Sequence, residues 1–261
     1  MSCGAVSVEG KKPAYRARVN YNPKKAWKYQ ARREGKHRAE LRLVERAFQL
    51  IPPGTVLDAP CGGGRLALLL AKKGYRVTGA DLSEAMLAIA RENIQKAGLS
   101  VAVEREDLEN LSYGDRSFDA VICFRLFHHF PTREIRTRVV RELCRVANRF
   151  VMLSFFSPYS FTSAKRRLRA TLGLGKLHHH QTPLSEVKRY FRNAEFRLVK
   201  DFAQFPVWHT LHLAVFERNE TGNHPGALPA VTLAISASHH DNKSNGSGRK
   251  LPPALGRKSE Q

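Results

Sequence analysis

Two carboxylates, three consecutive glycines and a pair of histidines are spaced along the first half of the chain as a ligand site requires. The apolar run Thr55, Val56, Leu57 closes on Asp58. Gly62, Gly63 and Gly64 then open into a helical run from Arg65 to Lys73. Glycine at such a turn lets the backbone approach a ligand and reach positive φ. The helix start presents free amides and the positive end of its dipole to the same spot. A second run, Arg76 to Asp81, ends on an acid 23 positions after Asp58, about the separation at which a carboxylate reaches a bound ribose and accepts from two adjacent hydroxyls. His128 and His129 follow the buried run Phe118–Phe124. Imidazole titrates near neutral pH, as a general base must.

Gly62 to Ala67 matches the dinucleotide fingerprint G-x-G-x-x-A. In that fingerprint, however, the first glycine leaves the strand directly, whereas three residues separate Asp58 from Gly62. The spacing instead resembles D-x-G-x-G-x-G, the first motif of class I S-adenosylmethionine-dependent methyltransferases, with Asp58, Gly62 and Gly64 matching it. Pro60 stands where the family's first glycine falls. Proline neither takes positive φ nor donates a hydrogen bond, so the turn is expected to rest on Cys61–Gly64. The order strand, glycine turn, helix, strand-Asp81, helix, strand-Asp107, loop, strand-His128-His129 also resembles that family, in particular its small-molecule branch.

The resemblance implies S-adenosyl-L-methionine as cofactor, with Asp58, Cys61, Gly62, Gly64, Asp81, Leu82, Asp107, Leu108, Phe124 and Arg125 around it. Asp81 would take the ribose and Asp107 the adenine amino group, with Leu108 against the ring. Arg125 would meet either the methionine carboxylate or an anionic substrate. His128 and His129 stand where the substrate face begins, one of them near the acceptor. Structural alternatives accompany each. Asp81 and Ser83 both precede the helical run Glu84–Ala97 and could cap it, Asp107 could be a solvated loop residue, and the histidines could cap a turn. Cys61 could simply be a small residue filling a tight turn.

These residues need a scaffold. The resemblance implies an α/β, Rossmann-like, seven-stranded, mostly parallel sheet with an antiparallel final strand and helices on both faces. Further strands are expected at Val101–Glu104, Arg149–Ser157, Arg197–Gln204 and His209–Arg218. Helices are expected at Arg133–Ala147 and after Thr182-Pro183, where a capping pattern ends on Glu186. His209 and His212, three apart on an alternating strand, would face opposite sides. The domain is expected over residues 23–218: a helical cover at 23–52, a cofactor half at 53–157 and a substrate or lid half at 158–218. Residues 1–22 read as a basic flexible start and 219–261 as a disordered tail rich in Gly, Pro, Ser and Asn.

A hydrophobic fraction of 42% supports a real core. The net charge of +21 is concentrated between Lys24 and Arg38, with Trp27 and Tyr29 interleaved, and again at Lys165–Arg169. Such surfaces attract phosphates on nucleic acid, lipid or small molecules. Four scattered cysteines without C-x-x-C spacing argue against zinc and disulfides. Adjacent histidines at 178–180 cannot all face one ion, so no metal is expected. No run reaches the roughly 18 apolar residues of a membrane span, and a cytoplasmic setting is expected. Four functions follow in order: methyl transfer by in-line displacement to a small-molecule acceptor, with anionic and lipid-like molecules among the candidates; RNA methylation; a non-catalytic cofactor-binding scaffold on an anionic partner; and dinucleotide oxidoreduction.

Overall fold

The computed structural model describes residues 34–172, 180–204 and 210–219, excepting the side chains of residues 34–36, 166, 167 and 170. The expectations for the basic stretch around Trp27, for His178, His179 and His209, and for both termini lie outside these residues. The described residues fall within one compact unit.

Helix α1 (Glu34–Phe48) precedes β1 (Thr55–Asp58), α2 (Arg65–Lys72), β2 (Arg76–Asp81), α3 (Glu84–Lys96), β3 (Ala102–Arg105) and β4 (Phe118–Cys123). Then follow a 3₁₀ turn (Phe127–His129), α4 (Arg133–Val146), β5 (Ala147–Phe156), α5 (Phe161–Thr171), α6 (Leu184–Arg192), β6 (Phe196–Ala203) and β7 (Leu211–Arg218). The seven strands form one sheet in the order β3-β2-β1-β4-β5-β7-β6. The first five strands pair in parallel, and β7 is antiparallel to both β5 and β6. The fold is therefore the predicted seven-stranded one. Strand order reverses between β1 and β4, and in such sheets ligands settle beyond the carboxyl ends at that switch point.

Alternation along the strands fills both faces. Val151, Leu153 and Phe155 of β5 join Val121, Ala214 and Phe216 under α4 and α6. Phe150 and Met152 join Ile122, Leu213 and Val215 under α1 and α2. This is period-2 side-chain placement in a sheet covered on both sides. Phe191 of α6 stacks on Phe216 with ring centroids 3.7 Å apart.

Three local expectations are corrected. Ser83 occupies the N-cap position of α3 without a side-chain capping bond; its amide instead donates to Asp81 Oδ1 at 2.9 Å, so the acid two residues earlier supplies the acceptor. The Thr182-to-Glu186 capping pattern is not used, because Pro183 takes the cap position and Glu186 accepts from Tyr190 Oη at 2.6 Å. The basic run after Tyr159, to which the sequence reading assigns no element, forms α5.

Asp119 ties the start of β1 to β4. Its Oδ2 accepts from the Thr55 amide at 2.8 Å and from Thr55 Oγ1 at 2.9 Å, while its own amide donates back to Thr55 Oγ1. The Thr55 backbone bond holds the Asp119 carboxyl below its ordinary pKa, so its contribution is present above that value and is lost as pH falls through the depressed one. Asp119→Ala should cost about 1–2 kcal/mol in urea unfolding at pH 7. The difference from the native chain should shrink in acid, where the native carboxylate is protonated.

Candidate functional site

Beyond the ends of β1 and β2, the chain folds into a turn that only glycine permits at two positions. Gly62 has φ 54° and Gly64 φ 79°, values in the left-handed region where a side chain is strained. A Cβ on Gly62 would come within 3.3 Å of Met86 Cε, and one on Gly64 within 3.2 Å of Ala90 Cβ. The Ala59–Pro60 bond is cis, and, as the sequence required, the turn proper runs through Cys61–Gly64, closed by Gly64 N donating to the Cys61 carbonyl at 3.0 Å. The Asn93 amide of α3 holds the Gly63 carbonyl at 3.0 Å. Cys61 is buried, packs against the site where a Cβ on Gly79 would stand, and has its thiol pushed up by burial. It is a turn filler and not a nucleophile.

Asp81 serves the turn as well as facing it. Its Oδ2 accepts from the Gly62 amide at 3.0 Å and its Oδ1 from the Ser83 amide at 2.9 Å. A carboxylate offers about four lone-pair directions, so two acceptor sites remain on this half-buried group. Burial raises its pKa, against the lowering effect of the Ser83, Gly62 and Leu82 amides.

Asp58 lies beneath the turn, with no exposed surface and no hydrogen-bond partner for either oxygen. Burial pushes its carboxyl up to about 8; the Ala67 amide and the Arg65 charge lower it and the Asp81 charge raises it. The Ala67 amide, one of the orphan donors of the first turn of α2, influences the group without reaching hydrogen-bond geometry.

Beside Asp58 lies a charge network that sequence reading missed. Glu40 of α1, 1% exposed, accepts from Arg125 Nη1 at 2.5 Å and from Arg65 Nη2 at 3.5 Å. Arg125 follows the end of β4 with φ 63°. Its amide donates to the buried Ser154 Oγ at 2.6 Å, and its guanidinium lies 5.9 Å from the Phe156 ring centroid. Arg65 Nη1 and Arg125 Nε are buried without acceptors. The signal for Glu40 was in the sequence: it shares a helical stripe with Leu43, Val44 and Ala47, all buried, where an unpaired acid is costly. Glu40→Gln should lower stability by about 2–3 kcal/mol in thermal or urea unfolding, with Arg125→Gln recovering part of the loss in the double variant.

The remaining predicted residues spread around this centre. Leu82 is half-buried. Asp107 Oδ1 accepts from the Glu109 amide at 3.1 Å, and Leu108 is buried in the core under α4. Phe124 packs on the opposite face of the sheet. His128 is 1% exposed and stacks on Phe156, ring centroids 4.1 Å apart; His129 is half-buried beside it. The carbonyl of His128 accepts from the His180 amide at 3.0 Å, and Arg136 Nε pins the Phe130 carbonyl at 3.1 Å. His212 pairs with Asp201 at 2.8 Å, within the β6–β7 ladder and apart from the turn. Among the described residues, no group of three His, Cys, Asp or Glu side chains is placed to hold a metal ion.

Residues 56–149 match a family model described as a methyltransferase domain. The ubiquinone biosynthesis O-methyltransferase of Azoarcus sp. (strain BH72) is 29% identical over 150 residues, 55% of this chain and 64% of that protein. The protein of the same name from Hahella chejuensis is 39% identical over 90 residues, 34% of this chain and 37% of that one. The corresponding protein of Coxiella burnetii (strain RSA 493 / Nine Mile phase I) is 38% identical over 76 residues, 29% of this chain, so that the chain spans about a third, 32%, of its length. Among solved structures, magnesium protoporphyrin IX methyltransferase from Synechocystis PCC 6803 with bound SAH superposes with a TM-score of 0.60 at 23% identity, over 71% of this chain and 84% of that one. A protein from Pyrococcus horikoshii OT3 gives the same score and identity over 72% and 93%. At this identity the structural likeness establishes the fold.

Proposed function

We propose that this chain, whose residues 56–149 match a methyltransferase-domain model, is a class I S-adenosylmethionine-dependent methyltransferase that transfers a methyl group from S-adenosylmethionine to an oxygen of a small-molecule acceptor. One observation carries this reading. At the switch point of the sheet, the residues leave a complementary set of groups unspent: two acceptor oxygens on Asp58, and buried donors on Arg65 and Arg125. That set suits a zwitterion, a carboxylate toward the arginines and an ammonium group toward the aspartate, which is the amino-acid end of the cofactor. The glycine turn and the partly exposed carboxylate of Asp81 suit the nucleoside end. The residues therefore fit the cofactor, with Asp81 holding ribose hydroxyls, Asp107 the adenine amino group, and Leu82 lining the same side.

When bound, S-adenosylmethionine supplies a methyl carried on a positive sulfur, open to displacement from the opposite side. The protein's main task is then alignment. A hydroxyl acceptor, the kind named for the O-methyltransferase relatives, also has to lose a proton. His129 is our candidate to take it: it is half-buried, whereas His128 is enclosed against Phe156 and fits the role of holding the turn. His129→Ala should lower kcat by roughly a hundredfold while leaving cofactor affinity unchanged; a matching loss of affinity would assign it to binding instead.

Titration of the purified chain with S-adenosylmethionine and S-adenosylhomocysteine, with NAD as control, tests the reading calorimetrically. Binding of the first two and not of NAD is expected, followed by tritiated methyl transfer to small phenols. Transfer to RNA in preference to phenols would favour the alternative reading that the net charge of +21 invites. Cofactor binding without any transfer would favour a scaffold.

A further inference from the structure

Helix α5 carries large apolar side chains outward. Ser163, which has no exposed surface, lies on its inner side, where Ser163 Oγ donates to the Ser157 carbonyl at 2.9 Å and accepts from Gln181 Nε2 at 3.0 Å. The Ser163 amide donates to Ser160 Oγ at 3.1 Å. The outer side carries the large apolar residues: Phe161 is 58% exposed, Leu168 61% and Leu172 62%, with Tyr159 at 77% just before the helix. Phe161, Leu168 and Leu172 are seven and four positions apart and so share one face. In a helix packed on a protein core this pattern is reversed, the apolar stripe inward and the polar side chains outward.

Around that face the charge is of one sign. Lys165 and Arg169 are exposed, Lys165 four positions after Phe161 and three before Leu168. From Leu143 to Ser185 the sequence holds no acidic residue. An apolar outer stripe flanked by lysine and arginine is the composition of a helix that lies in a lipid interface, its apolar side chains below the headgroups and its cations among them. Nucleic acid would reward the cations, but it offers no apolar depth for Leu168 and Leu172. An acidic protein face would likewise pair only the charges.

We propose that α5, with Tyr159 and Leu172 at its ends, is a docking surface for anionic lipid. The helix leaves the carboxyl end of β5, where Phe156 stacks on His128 and passes its carbonyl to the Thr182 amide at 2.8 Å. Docking would therefore set the carboxyl edge of the sheet toward the lipid. The surface is independent of any methyl donor, and its failure would leave the enzymatic reading standing.

The test is co-flotation of the full chain with vesicles of phosphatidylcholine alone and of phosphatidylcholine with phosphatidylglycerol. Binding to the mixed vesicles is expected. The triple variant Phe161→Ala, Leu168→Ala, Leu172→Ala should lose about tenfold or more in that affinity with an unchanged melting midpoint, since all three side chains are exposed. Lys165→Ala and Arg169→Ala should each lose roughly fivefold. Wild-type failure to bind the mixed vesicles overturns the proposal. So does a triple variant that binds as well as wild type, or one that keeps vesicle binding and loses binding of a single-stranded RNA. If the triple variant does not fold, Leu168→Glu alone decides by the same criteria.

Discussion

Asp81→Ala will lose about a thousandfold in affinity for S-adenosylhomocysteine, because one carboxylate does two jobs that no other described side chain can take over. In the proposed site, removing it takes away two charge-assisted hydrogen bonds to ligand hydroxyls, each worth about 1.5–3 kcal/mol. It also leaves the Gly62 and Ser83 amides without their acceptor, so the turn and the start of α3 both loosen. Gly62→Val should be comparably severe by another route. Valine is a poor occupant of φ 54°, and its Cβ would press on Met86 Cε. Calorimetric titration of both variants, with circular dichroism to show that they fold, is the check. Affinity within tenfold of wild type in both would remove the site from where we place it.

The second large effect is a pH dependence set by Asp58. Its folded carboxyl is raised to about 8 against an ordinary value near 4. Between those values the unfolded chain has released the proton and the folded chain keeps it. Folding takes up a proton there, so stability falls as pH rises from about 4 to about 8 and levels off above, where both states are ionised. The total is on the order of 5 kcal/mol. Asp58→Asn keeps the shape without the charge. It should flatten the stability profile between pH 5 and 8 and be more stable than wild type at pH 8, as read from urea midpoints across that range. An unaltered slope in the variant would mean that Asp58 is ionised and paired in solution. A cationic group bound nearby should draw the proton off, so that cofactor binding below pH 8 releases protons, measurable as a buffer-dependent binding enthalpy.

Such a carboxylate was legible as a strand-end acid but not as a protonated one. Aspartate at position 58 marks the end of β1 in any reading of the sequence. Its enclosure follows from Cys61, Ala67 and Cys123 closing around it, contacts supplied by three separate elements. Likewise, Ser83 looked like the cap of α3, because local spacing cannot tell which of two neighbouring side chains turns toward the amides. Neither caps the first turn: Ser83 makes no side-chain capping bond, and Asp81 accepts from the Gly62 and Ser83 amides, which precede the helix. The helix after Tyr159 was not foreseen: Phe161, Leu168 and Leu172 keep a helical spacing, but three apolar residues in a basic run are a sparse signal.

What the sequence determined on its own was the frame: apolar runs that end on acids, glycines where the backbone must bend left-handed, and alternation that dictates a sheet covered on both faces. Those features are local, fixed by sterics and by the period of side-chain placement, and together with the family resemblance they led to seven strands and a cofactor turn. Tertiary structure decided which charges meet. Glu40, Arg65 and Arg125 come from two helices and the end of a strand, up to 85 residues apart. Their pairing, like the protonation of Asp58, depends on how much water the assembled fold excludes, a quantity that no single segment carries.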